Sequence, residues 1–155
     1  MKVHEVMHRD VQIASPDQTL REAAAMMADI DAGVLPVGDQ DRLVGMITDR
    51  DIAVRGVARG LTPDAPVREV MSAEVKYCFE DEDINHVARN MADIQVRRLP
   101  VLDRDKRLIG ILSLGDIATQ CGPAPAGKAI SGISKPSGQH SQSSDFGGYI
   151  QQPLA

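Results

Sequence analysis

The chain repeats itself. Val6-Met7 recurs as Val70-Met71, Leu35-Pro36-Val37 as Leu99-Pro100-Val101, and the run from Gly45 to Ala53 as the run from Gly110 to Ala118. The offset is 64 from Val3 through Asp41 and 65 from Arg42 onward, so the copies differ by one residue inserted in a turn. A duplication on this scale means two copies of one supersecondary unit, neither of which covers its own apolar face. Each copy ends an apolar run on a hydroxyl residue, Thr48 or Ser113, with an aspartate three positions on, Asp51 or Asp116. Any site built at that junction is therefore present twice.

Within each copy the hydrophobic period changes twice. Short alternating runs (Val11 and Ile13; Val75 and Tyr77) predict a first strand. Leu20, Ala23, Ala24, Met27 and Ile30 then fall on one helical face, matched by Ile84, Val87, Ala88, Met91 and Ile94. Asp17 or Thr19, and Asp81 or Asp83, are placed to cap these helices. Two apolar runs around a turn of roughly five residues predict a β-hairpin, and a second helix opens at Thr48 or Ser113. The expected fold is α+β: two β-α-β-β-α repeats, each with a short helical lead-in, packed about a pseudo-twofold axis with matching clefts on opposite sides. The expected boundaries are 1–57 for the first repeat, 58–66 for a linker, 67–121 for the second repeat, and 122–155 for a flexible tail, since that last stretch is rich in Gly, Ser, Pro and Gln.

Charge and residue inventory narrow the function. The net charge of -5 is spread among interspersed acids and bases, without the basic stripe that neutralises phosphates along a duplex, so no nucleic-acid partner is expected. No apolar run approaches the roughly 20 residues that cross a bilayer, which predicts no membrane association. Cys78 and Cys121 form no CxxC pair and follow no secretory leader, which fits free thiols in the cytoplasm. Histidines 4, 8, 86 and 140 share no metal-ligand spacing, and no nucleophile-base set assembles. Neither a metal site nor an enzyme is expected.

The junctions carry the chemistry. Thr48 sits where free helix N–H groups begin, so its hydroxyl and the positive helix end favour an anion there. Asp51, one turn along, has the two acceptors that a vicinal diol needs, and Arg50 offers a planar fork to a phosphate. Together these match a ribose phosphate, with the base entering against Ile13-Ala14 and Val34-Leu35, where backbone amides read an adenine edge. A hydroxyl followed three residues later by an acid is also a capping pair that requires no ligand, and both readings stand at this point. In the second copy Leu114 and Gly115 replace Asp49 and Arg50, removing the guanidinium; Arg97 and Arg98 are then the cations nearest in sequence to the Leu-Pro pair. Unequal sites are expected.

Leu-Pro-Val followed by Gly-x-x-[Ser/Thr]-x-x-Asp-Ile, twice and in order, resembles a tandem CBS domain, the pair known as a Bateman module. The resemblance covers residues 3–121. It implies a regulatory module, often a homodimer, that binds AMP, ATP, NAD or S-adenosylmethionine as a regulatory ligand, requires no cofactor, and signals to a regulated protein. It also implies that Thr48 and Ser113 touch phosphate or ribose, Asp51 and Asp116 the ribose hydroxyls, and Val34 and Arg98 the base through the main chain, with Ile13, Ala14 and Leu35 in the first site and Tyr77 in the second. The rival expectation is a scaffold module with empty clefts that binds a partner protein.

Overall fold

A computed structural model describes residues 1–136. The first copy runs from a helical turn at Val3–Glu5 through α1 (Leu20–Ile30), β1 (Val34–Asp39) and β2 (Arg42–Thr48) to α2, which starts as Asp49–Asp51 and widens into a π-turn over Ile52–Gly56. The second copy has a turn at Val67–Glu69, β3 (Cys78–Phe79), α3 (Ile84–Ile94), β4 (Arg98–Leu102), β5 (Leu108–Ser113) and α4 (Leu114–Cys121), and α5 (Pro123–Ile133) follows it. The fold is α+β, with the two copies about a pseudo-twofold axis. Arg42 and its own duplicate Arg107 form a bridge with each other, as residues beside such an axis must.

The lead-ins are exchanged. Val3, Val6 and Met7 are buried in the core of the second copy with Val87, Met91 and Leu112. Val67 and Val70 are buried in the core of the first with Leu35, Val37 and Ile47. His8 bridges Ile111 of β5, and its duplicate Ser72 bridges Met46 of β2. Burying one valine side chain contributes about 1.5–3 kcal/mol, so each core leans on residues that belong, in sequence, to the other repeat.

Local signals explain the helices. Thr19 and Glu22 form a reciprocal cap on α1, and Asp83 accepts the N–H groups of Asn85 and His86 at the start of α3. Those bonds, the His86 N–H foremost, hold the Asp83 carboxyl below the usual range. β1 and β2 pair antiparallel, as do β4 and β5, while β3 lies parallel to β4. The first hairpin is tighter than expected: Gln40 and Asp41 alone make the turn, both at positive φ.

Three expectations are corrected. The first strand of each copy does not lie at Val11–Ile13 or Val75–Tyr77; it is the Cys78–Phe79 pair in the second copy and a single parallel bridge, Ala14 to Val37, in the first. The Glu80 N–H extends the ladder to the Leu102 carbonyl at 3.0 Å, and its duplicate Pro16 has no N–H to do so. The stretch opening at 122 is not all flexible tail, because α5 packs on α3 and α4 and buries Ala126 and Ala129. Small residues do this by close approach: a β-carbon on Gly132 would lie 2.6 Å from the Ala92 β-carbon. The expectation for 137–155 lies outside the described residues. Finally, Ala24 and Ile30 are exposed on α1, whereas their duplicates Ala88 and Ile94 are in the second core, since only the second copy has an α5 to cover that face.

Candidate functional site

Both junctions are closed by reciprocal caps. Thr48 Oγ1 accepts the Asp51 N–H at 3.0 Å, and Asp51 Oδ2 accepts the Thr48 N–H at 2.9 Å. Ser113 Oγ accepts the Asp116 N–H at 3.1 Å, and Asp116 Oδ2 accepts the Ser113 N–H at 2.8 Å. The capping reading is thus realised, and it is compatible with ligand binding: each cap leaves the hydroxyl proton unused, and at the first junction the Asp51 Oδ1 as well. Behind Thr48 the helical backbone continues from Asp49–Asp51 through the π-turn over Ile52–Gly56, so the peptide dipoles stay aligned along it.

Thr48 opens onto a cleft of about 400 Å³ between the copies. Val34, Met46 and Ser72 line one side, and Leu99 and Pro100 the other. Lys76, Arg97 and Arg98 bring three cations to its rim against one acid, Glu74. An apolar slot with a cationic rim suits a flat, partly apolar group joined to an anion. A larger groove, about 580 Å³, runs between α3 and α5 and touches neither junction.

The expected site residues divide. Thr48, Val34, Arg97 and Arg98 meet in this cleft, with Asp51 bonded to Thr48 behind it. Arg50 is exposed and outside the lining. Ala14 and Leu35 are buried in the core, and the Ala14 N–H and carbonyl bond to Pro36 and Gly38 at 2.9 Å. The Ile13 side chain fills the space over Gly38. Tyr77 lies in a different groove, with Arg42, Leu43 and Lys106. It packs edge-on against Phe79, whose ring carries the Arg104 guanidinium at 4.2 Å. Arg104 in turn holds Asp81 through two hydrogen bonds of 2.6 and 2.8 Å, which lower the Asp81 carboxyl pKa.

Ser113 opens onto a second cleft of about 450 Å³, with Arg97, Arg98, Gly115 and Ile130 of α5. Asp116 is buried, and its Oδ1 is met by His8 Nε2 at 2.6 Å. Sequence reasoning missed His8, Ser72, Lys76 and Arg55. Arg55 donates to the Val70 carbonyl at 3.0 Å, and its duplicate Gln120 to the Val6 carbonyl at 3.2 Å. Those two were findable as polar residues at duplicate helix positions; the others depend on the exchange of lead-ins.

Two interlocked copies, each with a hydroxyl-aspartate junction beside a cleft, define a duplicated α+β module. The CBS domain model matches residues 3–56 and 67–121, and the chain belongs to the CBS domain family. It is 41% identical over 133 residues to the CBS domain-containing protein YhcV of Bacillus subtilis, covering 85% of this chain and 94% of that one. It is 40% identical over 116 residues to hypoxic response protein 1 of Mycobacterium tuberculosis, covering 74% and 80%. A crystal structure of hypoxic response protein I with two coordinated zinc ions superposes with a TM-score of 0.71 at 38% identity, covering 77% and 98%. The CBS domain pair of protein MJ0100, in complex with 5′-methylthioadenosine and S-adenosylmethionine, superposes with a TM-score of 0.69 at 29% identity, covering 79% and 97%. Among the described residues no group of three or more His, Cys, Asp or Glu side chains is placed to hold a metal ion, and no helix is long and apolar enough to cross a membrane.

Proposed function

We propose that this protein is a non-enzymatic cytoplasmic sensor that binds an adenosyl compound, such as AMP, ATP, NAD or S-adenosylmethionine, in the Thr48 cleft and requires no cofactor. The observation that carries the reading is the pairing at Thr48: a hydroxyl proton for a phosphate or ribose oxygen beside an Asp51 Oδ1 free to accept a ribose hydroxyl. Lys76, Arg97 and Arg98 supply the charge that a phosphate seeks, and the adenosyl ligands bound by the MJ0100 pair support the class. Ligand held by both copies shifts their relative angle only so far as it prefers one arrangement, and a partner protein reads that shift.

The sensor acts as a homodimer joined through α1 and α2. Ile30, Val54 and Val57 are 42%, 45% and 72% exposed there, an apolar patch that leaves one such face per chain to pair isologously.

Differential scanning with AMP, ATP, NAD and S-adenosylmethionine tests the reading. One of them raises the melting temperature in proportion to the logarithm of its concentration, and Thr48→Val abolishes the shift. No shift with any of the four, in a protein that melts cooperatively, refutes it.

A further inference from the structure

The two junctions are built alike and left in different states. At the first, Asp51 Oδ1 faces only Arg55 Nη1, at 4.0 Å, beyond hydrogen-bond reach. The lead-in residue that crosses beside it, Ser72, turns its hydroxyl to the Glu74 carbonyl at 3.4 Å. At the second junction the crossing residue is His8, the duplicate of Ser72 with the same bridge to a hairpin strand of the other copy. Its Nε2 stands 2.6 Å from Asp116 Oδ1, while Oδ2 is taken by the Ser113 N–H. Asp51 thus keeps one carboxylate oxygen open; Asp116 has none, and its side chain is 9% exposed against 21% for Asp51.

We infer that His8 is the residue that makes the two sites unequal: it occupies the acceptor that a ribose diol needs at Asp116, so the second cleft takes an adenosine moiety only when His8 swings away. This rests on the adenosyl reading of the Thr48 cleft. The loss of Arg50 at its duplicate Gly115 concerns phosphate, whereas the His8 contact concerns the sugar, so it discriminates even against a ligand without phosphate. The movement is available: the His8 side chain is 67% exposed, and its backbone bonds to Ile111 do not depend on the imidazole.

Calorimetric titration of the full chain with adenosine isolates the sugar from the phosphate. The native protein binds one adenosine per chain. His8→Ala binds two, with affinity at the second site raised on the order of tenfold, the scale of one hydrogen bond to a charged acceptor, and 2′,3′-dideoxyadenosine fails to fill that site. The reciprocal change, Ser72→His, weakens the first site by a similar factor. A His8→Ala protein that titrates like the native one, or a native protein with two equal sites, overturns the inference and leaves the sensor reading intact. Binding of adenosine and AMP by neither native protein nor variant removes the sensor reading, and the inference with it.

Discussion

Gly110 lies directly beneath His8: a β-carbon on Gly110 would stand 2.8 Å from the His8 carbonyl oxygen and 2.7 Å from Met7 Sδ. The duplicate position repeats the relationship, with Gly45 against the Ser72 carbonyl at 2.8 Å and Met71 Sδ at 2.9 Å. Glycine is required at both because the lead-in of the other copy crosses there. Gly45→Ala and Gly110→Ala are each expected to lower stability by about 1–3 kcal/mol through overpacking, seen as a lower denaturation midpoint. An unchanged midpoint in both would mean the lead-ins are not seated as described.

A chain ending at Gly122 is expected to be less stable than one ending at Pro136 by on the order of 2–4 kcal/mol. It loses the cover that Ala126 and Ala129 give to α3 and α4. Urea midpoints of the two truncations decide this, and coincident curves would remove α5 from the folding unit.

Burial, and then the nearby Glu82 carboxylate, push the Cys78 thiol up to about 12 from an ordinary 9.0. Native protein is therefore expected to react with a thiol reagent quickly at Cys121, which is half-buried, and at Cys78 only on unfolding. The folded pKa is the higher one, so the folded state binds the proton more tightly. Its contribution is complete below the unfolded value and fades as pH rises from about 9 toward 12. Cys78→Ala should flatten the fall of stability with pH in that window; an identical slope would show that Cys78 is not the group responsible.

Arg50 is exposed away from the cleft, so Arg50→Ala is expected to leave AMP affinity unchanged. Lys76→Ala and Arg97→Ala should each weaken AMP by about five- to tenfold at low salt and less at high salt, since these are partly solvated charges. Adenosine should be affected by neither. A loss confined to Arg50→Ala would reverse the assignment of the phosphate contact.

The sequence carried a large part of the fold. Leu20, Ala23 and Met27, and Ile84, Val87 and Met91, repeat at helical spacing and are buried as that spacing requires. Thr19 and Asp83 cap where a side-chain oxygen meets orphan N–H groups. The junction motif was legible too, because the reciprocal cap linking Thr48 to Asp51 spans only three residues. Tyr77, Arg50 and the helix at Pro123 were misplaced for one reason: composition and period describe a segment's own preferences, while its burial depends on what packs against it.

Duplication, period and local capping fixed two copies and the place of their junctions, since these depend on contacts within a few residues. Which copy's core receives Val3 and Val67, which helical face α5 covers, and whether His8 or Ser72 stands beside the aspartate were settled only when distant segments met. No spacing encodes those contacts: His8 and Asp116 are 108 positions apart, and their meeting follows from the exchange of lead-ins across the pseudo-twofold axis.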